Sequence, residues 1–294
     1  PPTYGGFPRL EIQDLKPTIG IDIERVGFKN VRRRVSLMTP KGPMAFDVEL
    51  DLYISVSRDR RGAHLSRNVE ALYEILSQEE SHRSLEEYLD SLALKLLERH
   101  PYASKSVAVA RTSFYVNVDY EGLTGVEPVN VEVEVSRDKE GATIWSVSVS
   151  VVGLTVCPSA QTAIASTLGL DSSIAPSHMQ RVILKGRVET MGEIVRIEKI
   201  AKALYKSLSA PAITLLKRPQ EAELILEAHK RPKLVEDVVR EAIANIASEI
   251  GKLPDNTIIE IEALSMESIH PHNLYAQKKT TLGKLRRERG LKEL

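Results

Sequence analysis

The sequence has a single cysteine among its 294 residues, Cys157, so no disulfide can form within the chain. An unpaired thiol fits a reducing compartment, and we expect a cytoplasmic protein. Residues 1–8 lack the basic stretch and apolar run of a signal peptide. The longest apolar runs, such as residues 145–156, are interrupted by serines and are too short to span a bilayer, so no membrane partner is expected.

Net charge is also lacking, because 40 Lys and Arg residues balance 40 Asp and Glu residues. No overall field would therefore draw the chain onto a nucleic acid, although a local basic patch could still bind a small anion. Aromatic residues are scarce, with one Trp and four Phe. The plentiful Val, Ile and Leu favour a core of sheets and helices built from aliphatic side chains.

Hydrophobic periodicity predicts the secondary structure. Strands are predicted over residues 31–38, 46–56, 106–119, 129–135, 142–152 and 257–264, and helices over residues 69–76, 84–99, 190–208 and 234–250. In the second strand the alternation from Val48 to Val56 predicts one buried face. Ser84 is the predicted N-cap of its helix, since Glu87 follows three residues later. Residues 39–43 read as a turn and residues 217–221 as another.

The two halves of the chain repeat one plan, with antiparallel strands, a His-x-x-Arg segment, two helices and further strands. An internal duplication explains this order, and it predicts an α+β fold with helices covering one face of each sheet. The predicted organisation is an N-terminal arm at residues 1–18, modules at residues 19–135 and 136–277, and a frayed basic tail at residues 278–294.

Several side chains are candidates for chemistry. Cys157 and His178 would together suit a divalent metal such as zinc or ferrous iron, although a lone cysteine can also be a small core residue and a lone histidine structural. His270 and His272 lie two apart in a strand-like stretch, so both would face one side and could bind a metal or move protons. They could equally be surface histidines.

Cations recur near these segments. They are Arg61, Arg67, Lys217 and Arg218. They form a phosphate-binding set if they converge, and they are solvated surface charge if they do not.

Six segments in this order resemble the type IB GTP cyclohydrolases. They are residues 61–68 (Arg-Gly-Ala-His-Leu-Ser-Arg-Asn), 157–158 (Cys-Pro), 177–181 (Ser-His-Met-Gln-Arg), 215–219 (Leu-Leu-Lys-Arg-Pro), 235–237 (Val-Glu-Asp) and 270–273 (His-Pro-His-Asn). The first segment, and the long gap between Cys157 and His178, make the chain more similar to the archaeal enzymes of methanopterin biosynthesis than to the bacterial folate enzymes.

The resemblance implies the tunnelling fold, with two tandem modules of antiparallel sheet backed by two helices, and a homotetramer with active sites at subunit interfaces. It implies Cys157, His178 and Glu221 as metal ligands, with Cys157 also essential to catalysis. Glu236 would hold the guanine ring, and His270 and His272 would transfer protons or help to hold the metal. Arg61, His64 and Arg67, from a neighbouring subunit, would bind the substrate near its triphosphate, as would Lys217, Arg218 and Arg181.

The implied substrate is GTP and the implied cofactor is Fe²⁺, with Mn²⁺ or Zn²⁺ as substitutes. Metal-activated water would attack C8, the imidazole ring would open, and formate would leave. The product would be 7,8-dihydroneopterin 2',3'-cyclic phosphate or, for a folate-type enzyme, the triphosphate. Many members have Cys-Pro-Cys where this chain has Ser159. Two other classes stay open, a non-catalytic purine- or pterin-binding protein and a purely structural oligomer.

Overall fold

The computed structural model describes residues 11–39, 42–77, 82–172 and 174–289, which form nine strands and seven α-helices. The strands are β1 Ile23–Thr39, β2 Gly42–Val56, β3 Lys105–Tyr120, β4 Leu123–Asp138, β5 Thr143–Val156, β6 Met179–Thr190, β7 Ala210–Pro211, β8 Ile258–Met266 and β9 Leu274–Thr281. The helices are α1 Ser66–Leu76, α2 Leu85–Arg99, α3 Pro158–Leu168, α4 Ile197–Lys206, α5 Arg218–His229, α6 Val235–Glu249 and α7 Leu282–Arg289. A 3-10 turn spans Ile12–Asp14.

The strands pair in the order β1-β2-β3-β4-β5-β6-β8-β9 in an antiparallel sheet, and the short β7 pairs with β5. The chain divides into two compact units that interleave in sequence. Unit 1 comprises Pro1–Arg111 and Val133–Trp145, and unit 2 comprises Thr112–Glu132 and Ser146–Leu294. Strands β3, β4 and β5 therefore each contribute residues to both units, and the predicted module boundary at residues 135 and 136 stays a prediction.

In unit 1, the core lies between β2 and the helices α1 and α2. The predicted apolar face of β2 is buried, since Val48, Leu50 and Leu52 are at most 2% exposed. The predicted start of α2 is also confirmed, because the Ser84 hydroxyl accepts a hydrogen bond from the Glu87 N–H at 3.2 Å. A capped start and a leucine stripe explain why this helix could be predicted locally.

One residue on the opposite face of β2 contradicts the simple alternation. Asp51, expected to face solvent, is only 1% exposed. Its carboxylate accepts from the backbone N–H of Asn30 and from the side chains of Tyr53 and Arg111, at 2.9 to 3.0 Å. Burial alone would raise the pKa of Asp51, but these hydrogen bonds outweigh it and hold the pKa below its usual value.

In unit 2, helix α6 packs on β8 and β9 and against α4. Its buried face includes Val238, Ala242 and Ile246. Gly186 on β6 permits the close approach, because a Cβ there would lie 2.9 Å from the Ile246 side chain. The predicted covering of one sheet face by helices is seen here.

Other predictions for unit 2 were wrong. The helix expected over residues 190–208 spans only Ile197–Lys206, because β6 continues to Thr190 and Gly192 then adopts a φ of 105° in a turn. Residues 217–221 were read as a turn but lead into helix α5. Residues 278–289 of the expected frayed tail instead complete β9 and form α7, and residues 290–294 lie outside the described residues.

The order of strand pair, helix pair and strand pair does occur twice along the chain, with α3, β7, α5 and α7 added in the second half. The two His-x-x-Arg segments are not equivalent, however. His64 precedes helix α1, whereas His178 precedes strand β6. In the described part of the chain, no helix combines the length and apolar character needed to cross a membrane.

Candidate functional site

Cys157 lies where β5 ends and α3 begins. It is the N-cap of α3, and its Sγ accepts from the backbone N–H of Ala160 at 3.5 Å. Pro158 occupies the first helical turn, where its missing N–H costs nothing. The thiol is half-buried, so it is held firmly and remains reachable.

His178 is joined to Cys157 through the backbone. The Cys157 N–H donates to the His178 carbonyl at 3.2 Å, and the Ser177 hydroxyl donates to the Cys157 carbonyl at 2.7 Å. The His178 Nδ1 lies 3.2 Å from the Ser268 Oγ. This contact orients the imidazole and leaves Nε2 available to a ligand.

A second layer of hydrogen bonds supports the loop before His178. The Gln161 side-chain amide donates to the carbonyls of Ala175 and His229, at 3.2 and 3.0 Å. The Ser177 N–H donates to the His229 Nε2 at 3.3 Å, and the other ring nitrogen of His229 bonds the Ile225 carbonyl. His229 therefore connects α5 to the loop that carries His178.

Helix α5 carries Glu221 towards the same region. Leu224 and Ala228, on the face of the helix that also carries Glu221, are buried in a cluster with Val156, and Met179 packs against that cluster. Val156 and Met179 are the chain neighbours of Cys157 and His178. Glu221 is exposed, and its carboxylate has no hydrogen bond or ion pair within the described residues.

Helix α6 begins beside the end of β5. The backbone N–H of Lys233 donates to the Val156 carbonyl at 3.0 Å, and α6 starts two residues later. Glu236 lies in its first turn, where the helix dipole favours a negative charge. Its exposed side chain borders a pocket of about 370 Å³, also lined by Val239, Ile243 and Ala276.

The predicted cations of unit 2 are all exposed. Lys217 and Arg218 lie at the start of α5, and Arg181 lies on β6 in register with Met266 of β8. Within the described residues, none of these three side chains has a carboxylate partner. Their charges are therefore available to an anion.

His270 and His272 lie in a bend between β8 and β9, not in the strand-like stretch that the sequence suggested. Their rings are nevertheless adjacent, stacked with centroids 5.2 Å apart and planes inclined by 9°. Both are exposed. Ser268, which contacts His178, belongs to the same bend.

The remaining predicted site residues belong to unit 1. Arg61 and His64 lie in the loop before α1, and Arg67 lies in its first turn, where its guanidinium donates to the Arg99 carbonyl at 3.2 Å. The His64 imidazole contacts Asp14 at 2.9 Å. Sequence reasoning missed Asp14, because it lies 50 residues from His64 in the chain.

The predicted metal ligands fit a divalent ion by type, since thiolate, imidazole and carboxylate suit Fe²⁺, Mn²⁺ or Zn²⁺ in different degrees. The structure ties Cys157 to His178, and helix α5 carries Glu221. In the part of the chain that is described, no three His, Cys, Asp or Glu side chains are close enough together to hold an ion. The ligand set therefore stays a prediction.

The fold is shared with enzymes of quite different sequence. The uricases of Arthrobacter globiformis and Bacillus fastidious superpose with TM-scores of 0.52 and 0.51 at 8% and 11% identity. The match covers 88% and 91% of this chain, and 92% and 95% of theirs. The protein is thus a tunnelling-fold protein of the α+β class, as predicted.

Sequence comparison defines its place within that class. Residues 10–276 match the family described as type I GTP cyclohydrolase folE2. A protein named GTP cyclohydrolase MptA from Aeropyrum pernix is 50% identical over 278 residues, covering 94% of this chain and 98% of its own. A protein of the same name from Methanoculleus marisnigri is 32% identical, covering 94% of this chain and 96% of its own. The chain belongs to the type I GTP cyclohydrolase family and is an enzyme of that family.

Proposed function

We propose that the enzyme opens the imidazole ring of GTP at C8, releases formate and forms 7,8-dihydroneopterin 2',3'-cyclic phosphate for methanopterin biosynthesis. The name shared by its relatives supports this substrate and pathway. The observation that carries the proposal is the direct tie between Cys157 and His178 at the end of β5. The starts of α3 and α6 lie at this strand end, and α5 packs against it.

Cys157, His178 and Glu221 would hold a divalent metal, for which we propose Fe²⁺ with Mn²⁺ or Zn²⁺ as substitutes. Such an ion supplies a hydroxide nucleophile near neutral pH. The chain's own part is to orient the ligands. Ser268 holds the His178 ring, and the Ala160 N–H holds the Cys157 sulfur.

Glu236 would recognise guanine. Its carboxylate can accept from both the ring N–H and the exocyclic amine, which adenine does not offer together. The adjoining pocket of about 370 Å³ falls within the range of roughly 300–1,000 Å³ that is usual for small-molecule sites. Val239 and Ile243 supply apolar walls for a flat base.

The triphosphate needs cations, and the three candidates of unit 2 have no carboxylate partner among the described residues. Lys217, Arg218 and Arg181 would bind it together with Arg61, His64 and Arg67 from a neighbouring subunit. This arrangement requires a homo-oligomer, for which we propose a tetramer. His270 and His272, exposed on the bend that also carries Ser268, would move protons during ring opening and formate release.

The test is anaerobic incubation with GTP and Fe²⁺, following formate and weighing the pterin product by mass spectrometry. We expect formate together with the cyclic phosphate. A linear triphosphate would instead assign the folate-type reaction, and GTP binding without formate would indicate a non-catalytic binding protein.

Cys157→Ala should lose both metal and formate release, whereas Ser159→Ala, at an exposed neighbouring position, should retain both. Cys157→Ser separates the two roles of this residue, because a hydroxyl can still cap α3 but is a poor soft ligand. A Cys157→Ala variant with full metal content and full formate release would contradict the assignment.

A further inference from the structure

The 3-10 turn before β1 is docked on the loop that carries Arg61 and His64. The Arg61 N–H donates to the Leu15 carbonyl at 2.8 Å, and the Gly62 N–H donates to the Gln13 carbonyl at 3.1 Å. The docking is thus made by the backbone of both segments. It brings the side chains of the turn over the loop.

Asp14 makes the side-chain contacts at this junction. Its Oδ1 lies 2.9 Å from the His64 Nε2, and it also pairs with the Arg60 guanidinium. The other ring nitrogen of His64 lies 3.9 Å from a Glu11 carboxylate oxygen. The hydrogen bond with His64, aided by the Arg60 charge, holds the pKa of Asp14 below its usual value, so this carboxylate is ionised at neutral pH.

The opposite side of the loop is held by Tyr102. Its hydroxyl accepts from the backbone N–H of His64 at 3.1 Å, and the Arg60 guanidinium carbon lies 3.6 Å from the centroid of its ring. The main chain and the ring of His64 are thus fixed by separate partners. The His64 side chain is only 12% exposed although it lies on a loop.

The contacts also divide the cations of the loop into two groups. Arg60 is committed to Asp14 and Tyr102. The Arg61 guanidinium has no carboxylate partner in the part of the chain that is described. Asp14 therefore neutralises one cation and orients the imidazole while the adjacent arginine stays available.

We propose that Asp14 is a positioning residue for substrate binding, acting through His64 by fixing the orientation of its imidazole. The inference rests on the proposed function, in which His64 and Arg61 meet the triphosphate of GTP. A carboxylate hydrogen-bonded to one ring nitrogen fixes the orientation of the ring.

The test compares Asp14→Asn with Asp22→Asn. Asp22 is a matched control, because it too is exposed and binds the same loop, accepting from the Arg58 N–H at 2.7 Å. We expect Asp14→Asn to raise the KM for GTP about tenfold, and to weaken competitive inhibition by inorganic triphosphate to a similar degree, with kcat changed less than about threefold. Asp22→Asn should stay within about twofold of wild type in all three constants.

A double-mutant cycle with His64→Ala separates positioning from general structural support. If Asp14 acts through His64, Asp14→Asn has little further effect on KM in the His64→Ala background. An undiminished effect there would overturn the proposal, as would wild-type constants for Asp14→Asn.

Asp14→Glu provides a second variant that keeps the charge but displaces it by one methylene. It should show a smaller rise in KM than Asp14→Asn, and an unchanged KM in both variants would overturn the proposal. Wild-type turnover measured in parallel distinguishes a failure of the proposed function from a failure of the role proposed for Asp14. No formate from the wild type contradicts the proposed function, whereas normal turnover with an unchanged Asp14→Asn variant contradicts only the role of Asp14.

Discussion

At the scale of single residues, His100 shows how a histidine can be wholly structural. It is fully buried, its Nδ1 lies 2.8 Å from the Tyr102 hydroxyl, and its Nε2 lies 2.7 Å from the Asn68 side-chain oxygen. The neutral ring with its proton on Nε2 satisfies both contacts. The Tyr102 hydroxyl then donates to Nδ1, and the Tyr102 oxygen accepts from the His64 N–H. Burial, reinforced by the nearby Arg67, lowers the pKa of His100 to about 4.

This predicts an acid-sensitive contribution to stability. An ordinary histidine has a pKa near 6.5, so between pH 6.5 and 4 the unfolded chain binds a proton at this position that the folded chain does not. The free energy of unfolding should therefore fall by about 3 kcal/mol as the pH drops through that window.

Urea unfolding at several pH values would measure this fall in the free energy of unfolding. The fall should be smaller in His100→Gln. It should be unchanged in the control variant His272→Gln, because His272 is exposed. An identical pH dependence in wild type and His100→Gln would contradict the prediction.

At the scale of elements, the proposed site depends on where helices begin. Cys157, Glu221 and Glu236 all lie at the N-terminal ends of helices, α3, α5 and α6. Two of these starts are fixed by a side chain that accepts from the backbone N–H before the helix, Gln220 for α5 at 2.9 Å and Asp237 for α6 at 3.3 Å. Local caps thus fix the helix starts that carry these acidic residues.

The segment leading into α5 has a further anchor in Glu127 of β4. This carboxylate, 5% exposed, accepts from the Thr214 N–H at 2.8 Å and from its hydroxyl at 2.6 Å. Thr214 lies three residues before Lys217. We therefore expect Glu127 to help position the residues proposed to bind metal and phosphate.

Glu127→Ala should lower the free energy of unfolding by about 2 kcal/mol, because the Thr214 N–H and hydroxyl both lose the acceptor that Glu127 provides. It should also reduce kcat/KM and metal affinity, since Lys217 and Glu221 lose their anchor. Denaturant unfolding, steady-state kinetics and metal titration would measure these effects.

Two further variants serve as controls. Glu127→Gln keeps one acceptor oxygen and should have a smaller effect. Glu140→Ala lies at an exposed turn and should change neither stability nor activity. Lost stability with unchanged kcat/KM would contradict a positioning role.

At the scale of the whole molecule, the proposed site draws on both units of the chain. The ligands and base-binding residues belong to unit 2, and Arg61, His64 and Arg67 belong to unit 1. In the proposed tetramer, one subunit contributes the first set and its neighbour the second. Each complete site would then contain residues from two chains.

Complementation tests this sharing. Arg61→Ala and Cys157→Ala chains should each be inactive or nearly so, whereas co-assembled mixed oligomers should recover activity, since in random mixing about a quarter of the sites combine an intact unit 2 with an intact neighbouring unit 1. The recovery would be measured as formate release after the two variants are refolded together. The control is a mixture of the two variants that were folded separately. No recovery despite proven mixed assembly would contradict shared sites.

The parts of the fold that could be predicted are those with a local cause. The burial of β2 on one face and the capped start of α2 follow from residue spacing alone. Helix α3 was missed because its sequence, rich in Ala, Ser and Thr, buries little and carries no apolar stripe. Pro158 and Pro219 are signals of helix starts that could have indicated α3 and α5.

Sequence motifs in a fixed order were sufficient to identify the family, because chemistry restricts which residue types can occupy a site. They could not identify Asp14 or Glu127, whose partners lie 50 and 87 residues away in the chain. Such contacts depend on which distant segments of the chain pack together in the fold, and no local sequence pattern specifies that. Residue types and short-range spacing therefore determined the class of enzyme, and only the tertiary structure decided which carboxylates, Asp14 and Glu127, contact the segments that carry the proposed site.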